Sequence, residues 1–120
     1  MLKLYGIKNC NTVKKAIDWM NISNISFEFT DVKKDSLNID ILNGWVQNMP
    51  ADYSWESLVN KSGMTWRKLD DVQKESASDI KGALTLIIEK PSVMKRPVIA
   101  DGKKILTIGY NETIFEEIFL

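Results

Sequence analysis

The only cysteine of the chain, Cys10, lies between an apolar N-terminal segment and a stretch with helical spacing. The apolar segment, residues 1–7, is typical of a short buried strand, and the helical spacing begins at Asn11. A thiol at a strand-to-helix junction faces free backbone N–H groups and the positive end of the helix dipole. These groups favour the thiolate, which is the nucleophilic form of cysteine. The sequence therefore predicts a reactive thiol at Cys10.

The alternative role for Cys10 is that of a buried, inert apolar residue, which is the commoner fate of a free cysteine. Its polar and basic neighbours favour the reactive interpretation. They are Lys8, Asn9, Asn11, Lys14 and Lys15. We expect the backbone N–H groups of Asn11 and Thr12 to stabilise negative charge on the sulfur.

The two arginines are the next candidates for chemistry. Of the 16 basic residues, only Arg67 and Arg96 carry a guanidinium, and the others are lysines. The planar guanidinium binds carboxylates and oxyanions through two parallel hydrogen bonds, which an ammonium cannot do. Surface ion pairs are the alternative role for both arginines. Arg96 precedes Pro97 at the predicted start of a strand, where a cis bond could direct the Arg96 side chain towards Cys10.

Length and composition predict one globular, cytoplasmic domain. The chain has 120 residues, of which 44% are hydrophobic and 27% are charged, with a formal net charge of zero. This balance argues against direct nucleic-acid binding, and no apolar stretch approaches the roughly 20 residues of a membrane span. No signal-peptide pattern is present, and a lone cysteine forms no internal disulfide. One cysteine without any histidine predicts neither a metal site nor a bound cofactor.

The two ends of the chain are predicted to form the sheet. Residues 1–7, a helix over Asn11–Met20 and a strand over Ser26–Val32 make a strand–helix–strand unit, whose strands are expected to be parallel. Asn11 or Thr12 is the expected cap of that helix. Near the C-terminus, residues 97–100 and 103–108 predict a hairpin that turns at Asp101–Gly102. A helix over residues 114–119, opened by Gly109–Glu112, is expected to follow.

The middle of the chain is predicted to be helical. A first helix buries a face of apolar residues and ends before Pro50. Those apolar residues are Ile39, Leu42, Trp45, Val46 and Met49. Short helices are expected over Tyr53–Asn60 and Thr65–Lys74, with Gly63 between them. A further helix begins at Ser78–Asp79 and ends at Lys90, although Gly82 in its interior lowers helix stability by about 1 kcal/mol relative to alanine.

Three segments together resemble the ArsC/Spx family, and most closely its YffB branch. They are Leu4–Ala16, Asn60–Leu69 and Pro91–Val98. The first segment is similar to the Tyr-Gly-Ile-Lys-x-Cys-Asp-Thr opening of YffB proteins. The resemblance covers the full chain and implies an α/β, thioredoxin-like fold with a mixed four-stranded sheet. It implies one domain over 1–120, with 1–32 and 92–120 forming the core and 33–91 a helical insertion.

The resemblance also implies roles for the candidate residues. In the arsenate reductases of the family, a cysteine matching Cys10 attacks arsenate, and arginines matching Arg67 and Arg96 bind the oxyanion. Glutathione and glutaredoxin supply the electrons. Those enzymes carry a third arginine near the last strand, whereas the aligned stretch Leu106–Tyr110 has none. Losing one charge-assisted contact costs about 1.5–3 kcal/mol, or roughly ten- to a hundredfold in affinity, which argues against arsenate as the physiological substrate.

The sequence therefore predicts a thiol-dependent reductase in which Cys10 attacks an oxidised sulfur or a small oxyanion. Because the chain has no second cysteine, an external thiol must resolve the intermediate, with glutathione as the expected co-substrate. Arg67 and Arg96 are expected to bind the glutathione carboxylates or the oxyanion. Pro97 is expected to hold the backbone beside them.

Two other functions stay open. The resemblance to Spx implies a non-enzymatic regulator that binds RNA polymerase through the C-terminal domain of its α subunit, and the segment Gly109–Glu112 looks like the matching part of Spx. The Cys-x-x-Cys switch that is usual in Spx is absent, because Val13 occupies its second position. The third interpretation is a protein that keeps the fold but carries an inert thiol.

Overall fold

A mixed four-stranded sheet positions the residues around Cys10. The computed structural model describes residues 1–120. The strands are β1 (Leu2–Gly6), β2 (Glu28–Asp31), β3 (Val98–Asp101) and β4 (Lys104–Ile108). They lie in the order β2–β1–β3–β4, where β1 pairs parallel to β2 and antiparallel to β3, and β3 pairs antiparallel to β4. The predicted mixed sheet is confirmed.

Six α-helices pack on the sheet or connect its halves. They are α1 (Asn11–Ile22), α2 (Ile39–Gln47), α3 (Met64–Arg67), α4 (Asp71–Ser76), α5 (Ile80–Glu89) and α6 (Glu112–Phe119). Two short 3₁₀ turns, Trp55–Leu58 and Pro91–Val93, complete the helical middle of the chain. None of these helices combines the length and the apolar character that a bilayer span requires.

The sheet separates two apolar clusters, because successive side chains of a strand point to opposite faces. Leu4 belongs to the smaller cluster, together with buried residues of α1 and with Phe115 of α6. Tyr5, the next residue, belongs to the larger cluster, where its ring meets that of Trp45 edge-to-face at 4.8 Å. Cys10 packs half-buried at the margin of the smaller cluster, so its sulfur is neither sealed in the core nor fully exposed.

The short helices of the middle differ from the sequence prediction. The stretch Tyr53–Asn60 forms only the 3₁₀ turn, and Thr65–Lys74 divides between α3 and α4. The division follows from Asp70, whose carboxylate accepts from the Gln73 N–H at 2.8 Å while the Gln73 side chain accepts from the Asp70 N–H at 3.1 Å. This reciprocal capping box starts a new helix at Asp71.

The helix predicted from Ser78–Asp79 onwards is confirmed as α5. The Asp79 side chain caps it by accepting from the Gly82 N–H at 2.7 Å. Gly82 allows α5 to begin close to the end of α4, since a Cβ atom at this position would clash with the carbonyl oxygen of Ser76. The glycine that weakens the sequence prediction is therefore required by the contact between the two helices.

The C-terminal elements also follow the prediction. The hairpin between β3 and β4 turns at Gly102, whose φ of +61° lies in the region that glycine tolerates best. The last helix begins after Asn111, whose side chain accepts from the Ile114 N–H at 3.0 Å. The segment Gly109–Glu112 thus serves as turn and cap.

Candidate active site

Sheet topology brings the chain segments of Cys10 and Arg96 to one edge of the sheet. Tyr5 near the end of β1 pairs with Val98 at the start of β3, and Val98 pairs with Ile108 at the end of β4. Cys10 follows β1 and Arg96 precedes β3. Because β1 and β3 are antiparallel, the residues that follow one strand lie beside those that precede the other.

Cys10 itself is the N-cap residue of α1. Its backbone is extended, with φ −103° and ψ 120°, and its carbonyl accepts from the Lys14 N–H at 2.9 Å. The prediction that Asn11 or Thr12 caps the helix is wrong, because these are the first two helical residues. The start of the helix is set by the apolar face that α1 buries against the sheet, which consists of Val13, Ala16 and Met20.

The surroundings of Cys10 lower the pKa of its thiol. Partial burial acts in the opposite direction and is the largest single effect, but it is outweighed by the N–H of Val13, the hydrogen-bonding contact and charge of Arg96, and the N–H of Thr12. The two N–H groups face the sulfur without forming a capping hydrogen bond of full geometry. The N–H groups that stabilise the sulfur are those of Thr12 and Val13, and not those of Asn11 and Thr12 as predicted. An N-cap side chain faces the N–H groups of the second and third helical residues, which are Thr12 and Val13 here.

The first turn of α1 adds positive potential around the thiol. It contains no acidic residue, whereas acidic residues are commonly found at the positive end of a helix dipole. Lys14 and Lys15 follow one turn after Cys10. Neither lysine forms an ion pair, since the only ion pair of the chain joins the N-terminal amine to Asp101. A negative charge on the sulfur therefore meets no competing carboxylate in this turn.

Arg96 is held beside the thiol by the backbone. Its Nη1 donates to the carbonyl oxygens of Ser92 at 2.7 Å and Met94 at 3.1 Å. Its Nε is buried and has no hydrogen-bond partner. The peptide bond between Arg96 and the buried Pro97 is cis, as the sequence suggested. Only Nη1 of this fixed guanidinium is therefore paired with the backbone.

Arg67 is not brought into this arrangement. It is exposed at the end of α3, its side chain forms no hydrogen bond or ion pair, and it does not contribute to the lowered pKa of Cys10. Its helix packs against the turn Pro91–Val93, which leads to Arg96. A role for Arg67 in anion binding stays a prediction.

A cavity of about 210 Å³ opens next to Cys10, on the side formed by α1 and β2. Its apolar lining includes Ile17 and Phe29, and two lysines, Lys8 and Lys14, also line it. Sequence reasoning missed this cavity. Nothing in the local pattern indicates that Phe29, nineteen positions along the chain, packs beside the thiol; only the parallel pairing of β1 with β2 brings it there.

The comparisons with known proteins identify the family. The sequence profile of the ArsC family matches residues 5–118. The chain belongs to the ArsC family. An uncharacterized protein of Haemophilus influenzae is 40% identical to this ArsC-family chain, and the alignment covers 99% of each sequence. A Streptococcus mutans protein named global transcriptional regulator Spx is 28% identical, over 93% of this chain and 78% of its own length.

Solved structures confirm the thioredoxin-like ArsC fold. The YffB protein superposes with a TM-score of 0.87 at 31% identity over all of both chains. An ArsC-related protein from Brucella melitensis has a TM-score of 0.73 at 36% identity, over 98% of this chain and 93% of its own. The predicted membership and the likeness to YffB are therefore confirmed.

Replacing Arg96 by glutamine is expected to raise the pKa of Cys10 and to slow its alkylation near neutral pH. The charge and hydrogen-bonding contact of Arg96 help to hold this pKa down, and only the thiolate reacts. In the wild-type protein, the alkylation rate should rise with pH through a midpoint that lies below the midpoint for free cysteine. In the Arg96→Gln variant, this midpoint should move to higher pH. The measurement is the pH profile of the iodoacetamide rate.

The matched control for this experiment is Arg67→Gln. It removes the other guanidinium of the ArsC-family chain from an exposed site that does not affect the Cys10 pKa. Its pH profile is expected to coincide with that of wild type. Coincident profiles for all three proteins would show that Arg96 does not influence the thiol.

Proposed function

We propose that this ArsC-family protein is a cytoplasmic thiol-dependent reductase with Cys10 as its nucleophile. The observation that carries the proposal is a half-buried thiol of lowered pKa beside Arg96, whose guanidinium is held by two backbone carbonyl oxygens. A thiol of lowered pKa next to a fixed guanidinium suits nucleophilic attack on a ligand that carries negative charge.

The proposed reaction uses one protein sulfur and two external thiols. The Cys10 thiolate attacks one sulfur of a substrate disulfide, so that the substrate S–S bond breaks, a Cys10–S bond forms, and the leaving thiolate takes a proton from water. A glutathione thiolate then attacks the Cys10 sulfur and releases the second substrate thiol. A second glutathione restores the Cys10 thiolate and leaves as glutathione disulfide. Overall, two glutathione molecules are oxidised and one disulfide is reduced.

The arginines have distinct proposed roles. Arg96 binds a glutathione carboxylate, or a small oxyanion substrate, through guanidinium N–H groups that do not bond the backbone. Arg67 is proposed as a second, more distant contact for the same ligand. The stretch Leu106–Tyr110 offers no further arginine, which favours an oxidised sulfur compound over arsenate as the substrate.

The proposal is tested by glutathione-dependent reduction of hydroxyethyl disulfide, followed as NADPH oxidation by coupled glutathione reductase. We expect a rate above the uncatalysed exchange that saturates with glutathione, together with a mixed disulfide on Cys10 detectable by mass spectrometry. The proposal fails if the protein gives no turnover and the Cys10 thiol of the native protein reacts slowly with a thiol reagent at every pH. These two results together would support the inert-thiol interpretation.

The Spx relatives favour a second candidate function, that of a transcriptional regulator. Proteins named global transcriptional regulator Spx from Streptococcus mutans and Lactococcus lactis each match 93% of this chain. The proposed partner in that case is the α subunit of RNA polymerase. Val13 occupies the position of the second switch cysteine, and Cys10 is the only cysteine, so the chain carries no internal redox pair. Retention of the chain on immobilised α subunit would support this role, and absence of binding would remove it.

A further inference from the structure

The cavity beside Cys10 has an apolar floor that the proposed reductase reaction does not require. Ile7 and Val13 are buried there, whereas Ile17 and Phe29 are only half-buried and expose part of their side chains. A bare oxyanion would bind to hydrogen-bond donors and gain nothing from such a surface. An apolar group attached to the attacked sulfur would be removed from water against it.

The rim of the cavity is positive. Lys8 and Lys14 line it and are exposed, neither forms an ion pair, and no acidic residue is part of the lining. Arg96 adds its charge at Cys10 itself. A ligand in this cavity therefore meets an apolar surface on the inside and uncompensated cations at the mouth.

The volume of about 210 Å³ shows which apolar group the cavity can cover. An apolar cavity of about 150 Å³ is enough to hold a benzene molecule. The cavity beside Cys10 thus fits one aromatic ring or a branched aliphatic group of similar size.

We infer that the preferred substrates are anionic disulfides in which a ring-sized apolar group is attached to the attacked sulfur. The inference rests on the proposed function, since Cys10 must be the attacking thiolate. The apolar group lies on Ile17 and Phe29, and the negative substituent faces Lys8 and Lys14. The first step is unchanged: the substrate S–S bond breaks, the Cys10–S bond forms, and the leaving thiolate takes up a proton.

Two disulfide probes separate the inference from the proposed function. Bis(carboxynitrophenyl) disulfide is aromatic and anionic, whereas hydroxyethyl disulfide is small and neutral. For each disulfide, the rate of its reaction with Cys10 is divided by the rate of its reaction with free glutathione at equal thiolate concentration. This normalisation corrects for the different intrinsic reactivities of the two disulfides. We expect this ratio to be about tenfold or more higher for the aromatic anion, because burial of a ring gains roughly 1.5–3 kcal/mol.

Variants of α1 locate the effect in the cavity. Ile17→Gln is expected to remove most of the preference, and Lys14→Gln to lower it by roughly two- to fivefold, the size of a surface charge interaction. Each variant is judged by the ratio of its normalised rates with the two probes, because losing a lysine of the first turn also weakens the positive potential around the thiol and slows both reactions alike. Lys15→Gln is the matched control, because Lys15 is an exposed lysine of the same helix that does not line the cavity, and it should keep the wild-type ratio.

Equal normalised rates for the two probes would overturn the substrate inference and leave the reductase standing. A preference that survives both Ile17→Gln and Lys14→Gln would overturn it too, since the site of discrimination would then lie elsewhere. If Cys10 reacts with neither disulfide, the proposed function fails and the inference fails with it. The exposed Lys14 keeps the test valid if Ile17→Gln does not fold, because a surface substitution rarely unfolds a protein.

Discussion

Replacing Cys10 by serine is expected to abolish glutathione-dependent disulfide reduction, with a loss on the order of 10³-fold or more. Cys10 is the only thiol of the chain, and removal of a covalent nucleophile leaves only what binding alone can contribute. A hydroxyl at the same place is un-ionised near neutral pH and does not attack disulfides. The coupled NADPH assay measures the loss directly.

The same substitution should not damage the fold, which makes it a clean test. Cys10 occupies the N-cap position of α1 without a capping hydrogen bond, and serine is a preferred residue there. We expect the Cys10→Ser protein to gain about 0.5–1 kcal/mol in free energy of unfolding and to melt a few degrees higher. Cys10→Ala, which has no acceptor, should be equally inactive without the gain. Turnover of the serine protein within tenfold of wild type would refute the role of Cys10.

Gly82→Ala is expected to produce a large loss of stability for so conservative a substitution. The added Cβ would clash with the backbone oxygen of Ser76 and would lie 3.1 Å from the Asp79 carboxylate that caps α5. Backbone cannot move aside as a flexible side chain can, so the junction of α4 and α5 must shift. We expect the free energy of unfolding to fall by about 1–3 kcal/mol and the melting temperature to fall by roughly 4–12 °C. Urea unfolding followed by circular dichroism measures it.

Gly44→Ala is the matched control for that prediction. Gly44 lies inside α2, and the three atoms nearest to a Cβ there all belong to the side chain of Lys103, the closest at 3.0 Å. Because a lysine side chain can move, the gain in helix propensity of up to about 1 kcal/mol should make this variant as stable as wild type or more so. A Gly82→Ala protein that unfolds at the wild-type urea concentration would contradict the close contact seen between α4 and α5.

The sheet and the main helices were predictable because their sequence periods are strong. Residues of β1 alternate between the two clusters, and α1 buries Val13, Ala16 and Met20 at helical spacing. The Asp101–Gly102 hairpin carries the turn residues that its backbone requires. Local pattern and tertiary packing agree in these elements, so the pattern alone indicates the structure.

Other features were missed for different reasons. The predicted first helical residue of α1, Asn11, is right, but the cap was placed one or two residues too late because cysteine is not a usual cap. The division between α3 and α4 did have a local signal, the Asp70 and Gln73 pair, which is a capping-box signature. The need for glycine at position 82 and the cavity against Phe29 arise from long-range packing alone.

The anchoring of Arg96 has a thermodynamic consequence for any anion that binds beside Cys10. A free arginine side chain carries about 2 kcal/mol of rotamer entropy, which an ordinary surface arginine loses at the moment of binding. In this chain the Ser92 and Met94 carbonyl oxygens hold one end of the guanidinium before a ligand arrives. Part of that entropy has already been lost during folding, so the anion meets a preorganised partner and the affinity per contact rises.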